Sequence, residues 1–433
     1  MELVFNKRER KIRVLVEGWI NIPHSYAIVN CLQLVHMIKM QDKYNLEFYV
    51  KEVEYYNPNW NNNKKLMFDE EYNQILKNIK QWNANIEVDL IYRISYPYNI
   101  SIYNDQKHIP TCVFFTSEFA TLDVNYFKLS SPNYKVIDDH IIEMHMKHNK
   151  NLSFITPSEW SLSGMRTYIQ NESELRQKVK IIPHGVDTTI FRRELSKREL
   201  IRKRYNVKED EILFMNIGSM TQNKGIVEIL VTMKLLIFDA NTRNVKLLLK
   251  GTQDLYESKR FLEAYLLSLI ERKIMTEEQS KELVDKHIVF TDKTFTFGLL
   301  NDLYNAADVY ISPYLAEGFN LTVLEALTAG LHVLVSDHGS TEGYIQDILT
   351  NVPTAENVIH KIPVKVVEID NKKMNKINVV DVANLVLNKQ LILKQKQNEN
   401  DYIKLFKYIE KDYSWKAVSE QLCEHMISII NSE

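Results

Sequence analysis

Short apolar runs alternate along the chain with longer stretches in which apolar residues return every three or four positions, and this alternation sets the expected architecture. KIRVLVEGW reads as a first strand, and SYAIVNCLQLVHMIKM as the helix that follows it. LEFYVKEV, VDLIYRIS, TCVFFTSE, LSFITPSE and VKIIPHG supply further strands. After Val186 the periodicity fades in TTIFRRELSKRELIRKRYNVKEDE, a charged passage that reads as an interdomain connection. A second series then begins, with ILFMNIGS, VKLLLKG, HIVFTD, VYISPY and HVLVSD as strands. Near-continuous apolar runs of this kind suit strands buried on both faces. KIPVKVVEIDNKKMNKINVVDVANL is expected as an excursion on the second domain, and YIKLFKYIEKDYSWKAVSEQLCEHMISII has a helical period. The pattern predicts an α/β protein with two doubly wound domains, whose strand C-termini face a shared cleft. Open parallel sheets bind ligands at such a cleft.

At 433 residues the chain exceeds the size at which one hydrophobic core stops growing, which supports two domains. Hydrophobic residues at 45% and charged residues at 25% are ordinary globular values, so class must come from motifs. A net charge of −2 gives no support for a nucleic-acid partner. Cys31, Cys112 and Cys423 lie far apart in apolar runs and read as buried, reduced thiols, which favours a reducing compartment. No stretch approaches the length of a transmembrane segment, and MELVFNKRERKIRV lacks the apolar core of a secretory signal. The expectation is a soluble, cytoplasmic protein.

The most informative segment is SPYLAEGFNLTVLEALTAG, from Ser312 to Gly330. Glu317 opens a turn of Gly318, Phe319 and Asn320, and the apolar run through Leu321, Val323, Leu324, Ala326 and Leu327 reads as a buried helix. A strand, a tight turn and a helix N-terminus form an anion site, because the first N–H groups of the helix have no partner within it. Glu325 lies one or two turns deeper, where a carboxylate can accept paired hydrogen bonds from a diol. Two acceptors flanking a row of N–H donors suit a molecule with hydroxyls at both ends and phosphates between, that is, a nucleotide-sugar.

These lines resemble the E-x7-E element of retaining glycosyltransferases of the GT-B fold, in particular family 4. The resemblance implies that Glu317 holds the donor sugar's hydroxyls, that the backbone from Gly318 through Phe319, Asn320, Leu321 and Thr322 meets sugar and phosphates, and that Glu325 takes the ribose diol. NIGSMTQNKGIVEIL is similar to the family's G-R-x-x-x-x-K-G, with Gly218 ending a strand and Lys224 and Gly225 leading into a helix. A cation at Lys224 would neutralise the donor diphosphate and stabilise it as it leaves. Ser219 stands where the family usually carries Arg, and Lys250, ending VKLLLKG, is a candidate substitute cation.

KIIPHGVDTTIF resembles I-P-N-G-V-D-x-x-x-F, with His184 in place of Asn, and reads as a structural hinge strand in which Asp187 caps the next segment. The alternative, His184 facing the cleft, stays open. In ITPSEWS, Ser158 or Trp160 touches a ligand, or Ser158 simply caps a helix. In VEGWINIPHSYAIV, Gly18, His24, Ser25 and Tyr26 form the loop that the resemblance brings to the donor phosphate and acceptor, although plain capping accounts for the same residues. Where many relatives carry His, Ser117 and Glu118 stand here, and Glu118 is a candidate to orient donor or acceptor.

His140, His145 and His148 have no accompanying carboxylate or Cys cluster and read as a solvated helix face. No Asp-x-Asp occurs, so neither metal nor cofactor is expected. The implied domains are 1–187 (acceptor), 188–405 (donor) and 406–433, a C-terminal helix crossing back to the first domain. The implied activity is metal-independent hexosyl transfer with retention, from a UDP- or GDP-sugar to a hydroxyl on a glycan, lipid or protein. The alternatives are a catalytically impaired GT-B binding partner or a nucleotide-sugar epimerase.

Overall fold

The computed structural model describes residues 10–63, 68–102, 108–130 and 136–431. The first residues of the segment read above for a secretory signal, 1–9, therefore lie outside the described residues. Two parallel sheets organise the rest. The first runs in the order Lys80–Gln81, Leu46–Glu52, Ile12–Gly18, Leu90–Ile94, Thr111–Phe114, Leu152–Thr156, Val179–Ile181. The second runs Ile288–Thr291, Val245–Lys250, Ile212–Ile217, Val309–Ser312, His332–Ser336, Ile359–Ile362. Pairing within both sheets is parallel, for example Val14 with Phe48 and with Leu90, and Phe214 with Leu247 and with Val309. The central strands are buried on both faces, as their unbroken apolar runs require.

Each sheet reverses its winding direction once. In the first the reversal falls between Ile12–Gly18 and Leu90–Ile94, and in the second between Ile212–Ile217 and Val309–Ser312. Connections leave such a pair of strands in opposite directions and open a crevice at their C-terminal ends. In this chain the two crevices face one another. The Gly218 and Pro313 turns stand on one side, and the Trp19 loop on the other.

The carboxy-terminal run is two helices, not one. Glu399–Tyr413 packs on the helices Leu321–Thr328 and Glu342–Asn351 of the second domain. Trp415–Asn431 crosses to lie on Ser25–Lys39 of the first, burying Val418, Leu422, Cys423 and Met426. The crossing is fixed at Ser414. Val186 N–H donates to the Tyr413 carbonyl (2.8 Å) and Trp415 N–H to that of Val186 (3.2 Å), so the two strands that pass between domains brace each other. Tyr44 then ties the far helix down through Glu420 (2.9 Å). The excursion in the second domain is an antiparallel hairpin, Val364–Ile369 with Lys372–Ile377. Lys373 N–H of this hairpin reaches the first domain at the Phe119 carbonyl (2.9 Å).

Candidate functional site

A cavity of about 670 Å³ lies between the two sheets. Its second-domain wall is built on the turn 313–320 and the helix Leu321–Thr328. Asn320 begins that helix in the left-handed conformation (φ 69°) and makes no side-chain cap to it. Its amide instead donates to Ser312 Oγ (3.0 Å), and its carbonyl oxygen accepts from Thr322 Oγ1 (3.0 Å). Tyr310 in turn donates to Thr322 Oγ1 (2.6 Å). The turn is therefore pinned by side chains, while the first helical N–H groups are left for a ligand.

Lys224 reaches this turn from the neighbouring loop, with Nζ 2.6 Å from Glu317 Oε1. Gly225 makes that approach possible. Its φ is +71°, and a Cβ there would sit 1.9 Å from the Pro313 carbonyl oxygen, so no other residue fits. Burial works against the charge of Lys224, but Glu317 and Glu118 attract it and hold its pKa above the ordinary value. Glu325 lies on the helix beyond, and burial raises its carboxyl to about 7 even though Tyr304 donates to Oε2 (2.7 Å). Among the described residues no hydrogen bond holds Oε1.

Glu118 enters from the first domain, where its Oε2 accepts from Asn223 Nδ2 across the cleft (3.3 Å). Enclosure raises its carboxyl, Lys224 opposes that shift and Glu317 adds to it. One ammonium thus stands between two carboxylates. The domains are drawn together here by further bonds: Ser158 and Ser161 hydroxyls both donate to the Gly318 carbonyl (2.8 and 3.1 Å).

Most of the expected site residues converge. Gly218, Ser219, Lys224, Lys250, Glu317, Gly318, Phe319, Asn320, Leu321, Thr322 and Glu325 line the cavity, with His24, Ser25, Tyr26 and Glu118 opposite. Gly18 does not. A Cβ on it would meet Asn30 Nδ2 at 2.6 Å and the Ile94 carbonyl at 2.8 Å, so its glycine serves close packing behind the loop, away from the ligand space. Ser219 bonds Thr221 Oγ1 (2.8 Å) and brings no charge.

His24 caps the helix Ser25–Lys39, accepting from Tyr26 N–H (3.2 Å), and burial together with nearby Lys224 lowers its pKa to about 3. It is a neutral imidazole at the cavity edge. Ser158 caps the helix Glu159–Met165, and neither it nor Trp160 lines the cavity; Trp160 donates to the Glu118 carbonyl (2.7 Å). Ser117 is buried against Thr121.

His184 lines the cavity floor between Phe114 and Phe319. It is neutral, with its pKa pushed down to about 3 by burial, and among the described residues Nδ1 has no hydrogen-bond partner. Asp187 holds its turn, accepting from Thr189 N–H (3.0 Å). His145 is half-buried and tied to the Ile100 carbonyl (2.7 Å), whereas His140 and His148 are exposed, so the expected solvated face holds for two of the three histidines.

The sequence reading missed the aromatic wall of the first domain. Tyr56 and Trp60 come from one connection and Tyr96 and Tyr126 from two others, and Tyr256 meets Trp60 from the second domain (centroids 6.1 Å). Tyrosine is abundant in this chain, so no motif set these five apart.

Two doubly wound domains facing a cleft, with E-x7-E on one wall and a lysine held against it, define a GT-B protein. Solved structures show the same fold across the whole chain. A glycosyltransferase from Rickettsia africae superposes with a TM-score of 0.62 at 12% identity, over 98% of this chain and 100% of that one. HepE from Anabaena, solved with UDP and glucose, gives 0.55 at 11%, over 96% and 100%. At such identity these show the fold alone. Residues 197–362 match the family described as glycosyl transferases group 1. An uncharacterized glycosyltransferase of Methanocaldococcus jannaschii is 30% identical over 164 residues, 37% of this chain and 37% of that protein. The matches cover only about two fifths of the length of the curated relatives. Among the described residues no helix is long and apolar enough to cross a membrane.

Proposed function

We propose that this protein transfers a sugar from a nucleoside diphosphate sugar to a hydroxyl acceptor, with retention of configuration and without a metal. The observation that carries the reading is the Lys224–Glu317 pair at 2.6 Å, set at the uncapped start of the helix that also bears Glu325. Glu325 accepts the ribose diol. The helix N–H groups, Lys224 and Lys250 meet the diphosphate, and Glu317 takes hydroxyls of the donor sugar. HepE, of the same fold, was solved with UDP-glucose, which supports a nucleotide-sugar donor; UDP- and GDP-sugars both remain candidates.

As the glycosidic bond breaks, negative charge grows on the leaving phosphate, where fixed donors are worth most. No side chain stands out as a covalent nucleophile. The leaving phosphate oxygen therefore takes the acceptor's proton on the same face as attack. Glu118, raised above the usual carboxylate range, orients a hydroxyl beside that point. A thermal-shift screen of UDP-, GDP- and ADP-sugars, followed by NMR of the product anomer, tests the reading. Absence of stabilisation by every donor, or an inverted anomer, would count against it.

A further inference from the structure

The two walls of the cavity are chemically unlike. The second-domain wall holds the cations, Lys224 and Lys250. Among the described residues, the first-domain wall has neither lysine nor arginine, and the ionised group it can present is the Glu118 carboxylate. Much of the rest of that wall is aromatic, beside Ser25, Ile28, Val29 and Thr116. Tyr56 and Tyr96 meet edge to face (centroids 5.2 Å, 68°), as do Tyr96 and Tyr126 (6.2 Å, 85°), while Trp60 stands at 90° to Trp19 (5.8 Å). Trp60 is buried among Trp19, His24 and Tyr256, whereas Tyr56 is exposed and Tyr96 and Tyr126 are half-buried, and rigid aromatic side chains bind at little entropic cost. Among the described residues no protein hydrogen bond holds the hydroxyls of Tyr56, Tyr96 or Tyr126, so each ring also offers a polar edge.

Resting on the proposed transfer reaction, we infer that the acceptor is a neutral sugar residue, bound by its apolar face to Tyr56 and Tyr96, and that acceptors bearing phosphate are rejected. A pyranose has weakly positive C–H groups on one face and hydroxyls around its rim. The first suits the negative face of an aromatic ring, and the second suits tyrosine hydroxyls and Glu118. A phosphate on this wall would lose its water and face a carboxylate, and the nearest cation, Lys224, is already held between Glu317 and Glu118. Burying a charge without a partner is strongly unfavourable. A hydrocarbon acceptor fails for the opposite reason, since it would strand Glu118 and the tyrosine hydroxyls without partners.

The test uses saturation-transfer NMR with methyl glycosides of glucose, galactose, mannose and N-acetylglucosamine, each beside its 6-phosphate. Titrations are run on the protein alone and on the protein saturated with UDP. At least one neutral glycoside is expected to bind about ten-fold more tightly than its phosphate. Tyr56→Ala, at a side chain 61% exposed and so safe for folding, should weaken that neutral ligand several-fold and leave UDP affinity unchanged. Equal or tighter binding of the phosphates, binding of no glycoside, or indifference to Tyr56→Ala would overturn the inference. UDP affinity is read separately by calorimetry. Its absence would strike the donor assignment, while the preference measured on the protein alone still decides the acceptor.

Discussion

Replacing Lys224 by Met isolates the electrostatic part of the proposed mechanism. Methionine keeps an unbranched stem where the lysine stem packs over Gly218, so the perturbation is chiefly the loss of one charge. That charge is held 2.6 Å from Glu317, by side chains only 21% and 11% exposed, with Glu118 also facing it. Two effects follow. In the free protein, two carboxylates are left facing each other without a cation. Removing one partner costs somewhere between the ~1 kcal/mol of an exposed pair and the ~3–5 kcal/mol of a fully buried one. The pair lines an open cleft, which places the loss toward the lower end, and Glu118 should titrate at still higher pH. In the reaction, the growing charge on the diphosphate loses its nearest ammonium, by analogy a loss of roughly 100-fold to 1,000-fold in kcat. Nucleoside affinity should change far less, since Glu325 and the ribose lie farther along the helix. Initial rates at saturating donor, with calorimetric binding of UDP, separate the two quantities. A folded variant whose kcat equals the parent's would refute the assignment of Lys224 and move attention to Lys250.

Three further outcomes follow from the same geometry. Burial holds the Glu325 carboxyl near 7, above its unfolded value, so its contribution to stability is full below the ordinary carboxylate range and is lost as pH rises through about 7. Nucleotide binding requires the ionised form and should tighten over that same rise, with proton release near neutrality; calorimetry in buffers of different ionisation enthalpy reads this, and Glu325→Gln should abolish it. Turnover should survive excess EDTA, because helix N–H groups and lysine meet the phosphate charge; complete loss on chelation, restored by Mn²⁺, would contradict the metal-free reading. The Ser158 and Ser161 hydroxyls hold the Gly318 carbonyl, so Ser158→Ala with Ser161→Ala should enlarge the radius of gyration of the free protein in small-angle scattering, and an unchanged profile would show that the cleft is held elsewhere.

The two halves of the cleft were not equally legible in the sequence, and the difference is physical. The donor wall is built locally. A strand, a turn and a helix follow one another without a break from Val309 to Thr328, so the spacing of Glu317 and Glu325 already fixes where both carboxylates stand relative to the helix start. Lys224 was legible through the resemblance of its loop to G-R-x-x-x-x-K-G, and the structure gives the glycine of that pattern its reason, since Gly225 adopts positive φ where the loop passes Pro313. The opposite wall is assembled from loops far apart in sequence, with Tyr56, Tyr96 and Tyr126 meeting only through the order of strands in the first sheet. No local period encodes such a meeting. The same limit explains Gly18, whose constraint comes from Asn30 and Ile94 and not from a ligand. It explains the C-terminal region too: helical period was plain from Tyr402 to Ile430, but the break at Ser414 depends on bonds to Val186 that sequence spacing cannot reveal.

This asymmetry also bears on specificity. Under the proposed function, the wall that could be read meets the part all nucleotide-sugars share, a ribose and a diphosphate, and short motifs suffice for it. The wall that could not be read faces the variable substrate. There, selection is carried by which side chains are missing as much as by those present. Among the described residues, aromatic rings and one carboxylate fill the positions where an acceptor phosphate would need arginine or lysine. Adding such a cation at Tyr56, where the side chain is 61% exposed, is the least disruptive way to change that selection. Tyr56→Lys should bring a 6-phosphate sugar toward the affinity of its neutral partner, by about 1 kcal/mol at low salt and less as salt screens the pair. A variant that gains nothing for the phosphate at any ionic strength would show that charge on this wall does not govern the choice of acceptor.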